Sequence, residues 1–183
     1  MFGESNEEDN NKFDQILYIL NQVSEQYPEF SIYITGHSLG GALTQLLAYA
    51  LAGSPKAEDL PKPINAISYA SPRVGDENYL KSYQDLEKKG KVRHIRISNQ
   101  GDLVPVAPSV GYYQTGLNLH VRDNKKMQVG YSKDRGIFGQ FSPNSLDMHN
   151  LDYYHERLFI DENSVDIRLS IDELYEKHAD ISL

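Results

Sequence analysis

Phe30-Ser31-Ile32-Tyr33-Ile34-Thr35-Gly36-His37-Ser38-Leu39-Gly40-Gly41-Ala42-Leu43 is the stretch that decides the fold. Its first six residues form an apolar, β-branched run that reads as a strand. From Leu39 to Ala52 the chain is rich in Leu and Ala and reads as a helix, with Gly53 as a stop at its end. Between the two lies Gly36-His37-Ser38-Leu39-Gly40, a G-x-S-x-G pattern. Such a pattern sets the serine on a tight strand-to-helix turn, its hydroxyl standing above the sheet. The turn strains the serine backbone. It also crowds the residues two before and two after, so both Gly36 and Gly40 are expected to be obligatory glycines. Gly41 extends the small surface and lets the helix pack close to the strand. His37 is a neighbour in the turn that points away from the serine, and it is expected to pack or orient rather than act as a base. The pattern arises by chance in roughly one chain in twenty of this length. The flanking strand and helix are therefore what separate it from a plain glycine-rich turn.

Working outward, residues 7–27 read as an amphipathic helix. Phe13, Ile16, Leu17, Leu20, Val23 and Tyr27 recur at steps of three and four, and Pro28 closes the run. Ser54 to Pro63 is a polar, proline-bearing loop. Ile64–Tyr69 reads as a second strand, Ser71–Asp76 as a turn, Glu77–Lys89 as a polar helix and Val92–Ser98 as a third strand. Strand and helix alternate, which implies an α/β fold with a parallel sheet and right-handed crossovers. Residues 112–121 and 127–131 suggest a hairpin around Asp123-Asn124-Lys125. Residues 132–146 read as loop and Leu151–Ile160 as a short helix. The tail from 161 is charged, and no element is assigned to it.

Composition narrows the function. A chain of 183 residues with 39% apolar residues suits one domain, with its core over 13–158. A net charge of −8 argues against nucleic acid and against binding an anionic membrane by bulk charge. The absence of cysteine excludes disulfides and thiolate metal sites and leans towards a reducing, cytoplasmic compartment. Met1 to Lys12 is acidic and polar, unlike a signal peptide. The longest apolar stretch, Leu46–Ala52, is too short to span a bilayer.

A serine hydroxyl is a poor nucleophile at neutral pH. It needs a histidine to take its proton and a carboxylate to hold that histidine. In this kind of fold the acid and then the base follow the serine in the chain. Asp102, in Asn99-Gln100-Gly101-Asp102-Leu103-Val104-Pro105, lies just past the third strand, on the side where ligands meet a parallel sheet. Asp76 is the rival, but it directly precedes a helix and reads better as an N-cap. Among the later histidines, His149 sits in loop at the start of a helix and can swing over the strand ends. His155, mid-helix beside Glu156 and Arg157, and His120, within a strand, are the alternatives. His94, inside the third strand, reads as structural.

These residues resemble a known family. Gly36-His37-Ser38-Leu39-Gly40-Gly41-Ala42-Leu43 is similar to the nucleophile elbow of the class 3 (fungal-type) lipases, a branch of the α/β-hydrolases. Tyr69-Ala70-Ser71-Pro72-Arg73-Val74-Gly75 resembles the loop after the family's next strand. Residues 99–105 resemble its acid loop, and His149-Asn150-Leu151-Asp152-Tyr153-Tyr154 its base segment. The resemblance implies a Ser38–His149–Asp102 triad acting on lipid acyl esters, either triacylglycerol or phospholipid. It implies an acyl-enzyme intermediate and the backbone N–H of Leu39 as an oxyanion donor. No cofactor or metal is called for, and the implied partner is a lipid substrate met at a lipid interface. A catalytically inactive module that binds lipid or a partner is the alternative, and an acyltransferase would use the same triad. The family carries well over a hundred residues before its elbow, with further strands, a second oxyanion donor and a lid. Here 37 residues precede Ser38. The expectation is an N-terminally truncated domain whose strand 30–35 has a bare outer edge, open to pairing with another chain.

Overall fold

The computed structural model describes residues 11–122, 127–131, 145–158 and 170–178. Helices α1 (Lys12–Gln26), α2 (Leu39–Gly53) and α3 (Glu77–Lys88) alternate with strands β1 (Tyr33–His37), β2 (Ile64–Tyr69) and β3 (Val92–Asn99). Strands β4 (Leu117–Val121) and β5 (Met127–Tyr131) follow, then α4 (Ser145–His149), α5 (Leu151–Leu158) and α6 (Ile171–His178). The strands form one sheet in the order β1-β2-β3-β4-β5. The first four are mutually parallel, and β5 runs antiparallel to β4. The fold is therefore α/β with a C-terminal hairpin, whose tip at Asp123-Asn124-Lys125 lies outside the described residues.

Side chains alternate along each strand, so one strand feeds two faces. Ile64 and Ala66 of β2 join Leu17, Leu51, Tyr83, Leu86 and Val92 in one apolar cluster under α1, α2 and α3. Ile67 and Tyr69 join Ile95, Ile97, Leu117, Tyr154 and Leu174 in a second, under α5 and α6. Burying a side chain of this size contributes about 1.5–3 kcal/mol. That holds even the polar α3 in place through Tyr83 and Leu86.

Several boundaries differ from the sequence reading, each for a local reason. The first strand begins at Tyr33, not Phe30, because Phe30 N–H turns back to the Tyr27 carbonyl at 3.1 Å and its ring stacks on Tyr27. Only part of the expected α1 stripe is buried: Leu17 with Phe13 and Leu20 packs on the core, while Ile16, Val23 and Tyr27 are exposed. Gly53 is the last residue of α2 rather than a stop beyond it, and Pro55 opens the turn that follows. His149 ends a short helix instead of lying in loop, and the charged tail holds α6. Residues 7–10, 132–144 and 159–160, also read from sequence, lie outside the described residues. The outer edge of β1 has no strand partner among the described residues.

Candidate active site

Ser38 stands between β1 and α2 with φ 56 and ψ −123. Such a conformation costs on the order of 1–3 kcal/mol and persists only where the surroundings over-determine it. The β-ladder supplies that hold, since Ser38 N–H donates to the Tyr69 carbonyl at 2.9 Å. A Cβ at Gly36 would fall on the Gly40 carbonyl, so Gly36 is obligatory. A Cβ on Gly40 would meet nothing within 4 Å, which corrects the expectation that both glycines are forced. The crowding is one-sided: the Gly40 backbone approaches Gly36, while its own Cβ direction is open. Gly41 is the second forced position, because a Cβ there would come within 2.8 Å of the Ser71 Cβ. Ser38 occupies the N-cap position of α2, yet its hydroxyl makes no capping bond. It lies instead 2.8 Å from His149 Nε2.

Asp102 sits in the turn after β3, where Gly101 takes φ 90 and Asp102 N–H donates to the Asn99 carbonyl. Its carboxylate is buried and held by three kinds of donor. Val104 N–H donates to Oδ1 at 2.9 Å, the Tyr154 hydroxyl donates to Oδ2 at 2.7 Å, and His149 Nδ1 lies 3.2 and 3.1 Å from the two oxygens. An ionised carboxylate only accepts, so Nδ1 carries the proton. In the neutral ring Nε2 is then the acceptor for the Ser38 hydroxyl. Burial and the adjacent Asp102 charge push the Tyr154 phenol far up, so it remains a donor.

His37 reaches His149 through its backbone. Its Nε2 donates to the His149 carbonyl at 2.8 Å, and the two rings lie 4.8 Å apart. Leu39 is the first residue of α2, and first-turn N–H groups have no partner within their helix. The alternatives fall elsewhere. Asp76 caps α3 by accepting from Tyr79 N–H at 2.9 Å. His120 bonds Ser98 Oγ on the sheet, and His155 is exposed on α5. His94 is fully buried between Ser68 and Thr115. Burial, with the Arg96 charge, pushes its imidazole down to about 3, so it stays neutral. Tyr154 is the site residue with no reading from sequence. Its one signal was a pair of adjacent tyrosines on the helix after His149, of which a core-facing helix buries one. Among the described residues, no three His, Cys, Asp or Glu side chains come together as a metal site.

A serine on a strained elbow, a histidine and a buried aspartate, set on a parallel sheet flanked by helices, define an α/β-hydrolase-like protein. The chain belongs to the class 3 lipase family, whose profile, Lipase (class 3), matches residues 7–112 and so takes in Ser38 and Asp102. Phospholipase A1-IIgamma of Arabidopsis thaliana is 36% identical over 138 residues, which cover 72% of this chain and 32% of that protein. Phospholipase A1-II 1 of Oryza sativa subsp. indica is 30% identical over 172 residues, covering 91% of this chain and 40% of that one. The solved structure of Rhizomucor miehei triacylglyceride lipase is similar with a TM-score of 0.59 at 26% identity, covering 74% of this chain and 52% of that chain. The chain thus spans 32% and 40% of the length of these two curated relatives.

Proposed function

We propose that this chain carries the catalytic centre of a serine hydrolase of lipid acyl esters. Ser38 Oγ attacks the ester carbonyl as His149 Nε2 takes its proton. The Leu39 N–H donates to the oxyanion. His149 then returns the proton to the leaving alcohol, giving an acyl-enzyme on Ser38. Water, deprotonated by His149, attacks the acyl carbon and releases the fatty acid. Asp102 holds the imidazole tautomer and offsets the imidazolium charge. The observation that supports this most is the continuous 2.8 Å and 3.1 Å linkage from Ser38 through His149 to Asp102.

The substrate class follows from the family and from the surface beside the serine. Leu39, Leu43 and Leu46, spaced along one side of α2 directly after Ser38, are all exposed. They suit contact with an acyl chain or with the lipid interface that presents it. The relatives named above are a triacylglyceride lipase and phospholipases A1, so both ester classes belong in the test. The open edge of β1 favours a second reading, a catalytically inactive module whose edge strand pairs with another chain. A fluorophosphonate probe and a short-chain p-nitrophenyl ester separate the two. Active-site labelling with turnover supports the hydrolase. A single oxyanion donor would leave kcat about 10²–10³-fold below a complete hole, so labelling is the more sensitive arm. Complete absence of labelling in folded protein would leave the binding module.

A further inference from the structure

Outside the triad, the structure holds a cavity of about 50 Å³, lined by Glu87 of α3, by Gln114 and Gly116 ahead of β4, and by Tyr131 of β5. That is room for a few particles the size of water. Two buried oxygens of its lining residues, Glu87 Oε2 and Gln114 Oε1, have no hydrogen-bond partner among the described residues. Glu87 is 5% exposed and Gln114 8%. The other polar atoms of both side chains are already committed. Glu87 Oε1 accepts from the Tyr175 hydroxyl at 2.7 Å. Gln114 Nε2 donates to the Ser71 carbonyl at 3.0 Å and the Pro105 carbonyl at 2.7 Å. Flipping the amide would set its oxygen against two carbonyl oxygens, so the orientation is fixed by its partners.

Burial pushes the Glu87 carboxyl up to about 7, so above that pH both orphans are acceptors, and an unsatisfied buried acceptor costs on the order of 1–3 kcal/mol, more when charged. What fills the cavity must present positive charge or hydrogen-bond donors to these oxygens. Arg93 acts on the Glu87 carboxyl through its charge, but its direct contacts go to the Glu87 backbone carbonyl, the Asp172 carboxylate and the Tyr175 ring. Oxygen-only donors select hard cations. One carboxylate is neutralised by a single positive charge, whereas a divalent ion would leave a buried excess. We propose that this cavity is a monovalent-cation site, taking an alkali ion or ammonium between the Glu87 carboxylate and the Gln114 side-chain carbonyl. The bound ion braces Gln114, which ties the segment after β2 at Ser71 to the turn after Asp102 at Pro105.

The test reads folding stability and needs no turnover. Unfolding of the wild-type chain is measured at pH 8 in potassium, sodium, ammonium or choline chloride at equal ionic strength. Choline is too large for the cavity and controls for screening. A site with a dissociation constant of ~20 mM would raise the folded-to-unfolded ratio about tenfold in 200 mM salt over choline. Stabilisation by potassium or sodium identifies an alkali site, and stabilisation by ammonium alone identifies one that needs N–H donors. Glu87→Gln keeps an acceptor for Tyr175 and removes the charge, and Gln114→Met removes the amide oxygen. In each variant the difference between the small cation and choline should vanish, whatever its baseline stability. Identical unfolding of the wild type in all four salts would overturn the proposal and leave water as the occupant. So would a cation effect that persists in Glu87→Gln.

Discussion

Replacing Tyr154 by phenylalanine deletes one hydroxyl from the middle of the site. That hydroxyl donates to Asp102 Oδ2 at 2.7 Å and accepts from Asn99 N–H at 3.0 Å, on a residue with no solvent exposure. A hydrogen bond to a charged group contributes about 1.5–3 kcal/mol, and an orphaned buried N–H costs about 1–3 kcal/mol. The terms share one atom and do not add fully, so we expect a stability loss of about 3 kcal/mol. For a chain this size the melting temperature should fall by roughly 6–12 °C. Catalysis should suffer less. Asp102 keeps Val104 N–H and His149 Nδ1, and it is negative in both ground and transition states, so only its alignment reaches the barrier. A tenfold drop in kcat, about 1.4 kcal/mol, with KM little changed, is the expected result. It should be read from ester turnover or fluorophosphonate labelling at a temperature where the variant is fully folded. Tyr153→Phe is the control, because that hydroxyl accepts from Arg157 and not from the triad. Wild-type kcat in folded Tyr154→Phe, or an equal loss in Tyr153→Phe, would refute the positioning role.

Ser38→Ala should abolish probe labelling and lower turnover by about 10⁶-fold, as loss of a triad nucleophile does; undiminished labelling would exclude Ser38. Asp102→Asn should lower kcat about 10⁴-fold through the wrong imidazole tautomer, and His149→Ala should be at least as damaging while His155→Ala is silent in the same ester assay. Gly36→Ala should destabilise the chain by more than about 2 kcal/mol in denaturant unfolding because of the clash with Gly40, whereas Gly40→Ala should stay within about 1 kcal/mol. His94 titrates near 3 in the fold against 6.5 unfolded, so the unfolded state binds more protons between those values and stability is lost as pH falls through that window, by up to about 1.4 kcal/mol per pH unit. Urea unfolding of the wild type and His94→Asn should show their difference shrinking as pH drops from 6.5, and a constant difference would count against a buried neutral His94.

The elbow was legible because its pattern is a backbone requirement. A φ of 56 at Ser38 forces a small neighbour at Gly36, and that constraint is written in residue types. The alternation of β1 to β3 with α2 and α3 was legible for a similar reason, since periods of two and of three to four leave marks on every few residues. The constraint at Gly40 was misread, because the direction of a missing Cβ depends on how the helix leaves the turn. Tyr154 left almost no mark. Its role depends on the angle at which α5 crosses the turn after β3, and no local pattern encodes that angle. The same holds for α6, where Leu174 and Tyr175 are apolar within a charged run and their burial depends on contacts with β3. Only half of the α1 stripe is covered, because periodicity reports an apolar face without saying how much of it finds a partner.

The site joins elements far apart in the chain, with His149 111 residues from Ser38 and 47 from Asp102. Each member is held by contacts beyond those it makes with the other two. Asp102 has the Val104 N–H and the Tyr154 hydroxyl. Ser38 has the β-ladder through Tyr69 and the forced contact at Gly36. His149 ends a helix of five residues, too short to hold itself. Its backbone carbonyl is instead gripped by His37, the residue before the nucleophile. One tight turn thus fixes the strained serine and, through the side chain just before it, the backbone of His149. The strained Ser38 backbone and the hold on the His149 carbonyl thus come from adjacent residues of a single turn.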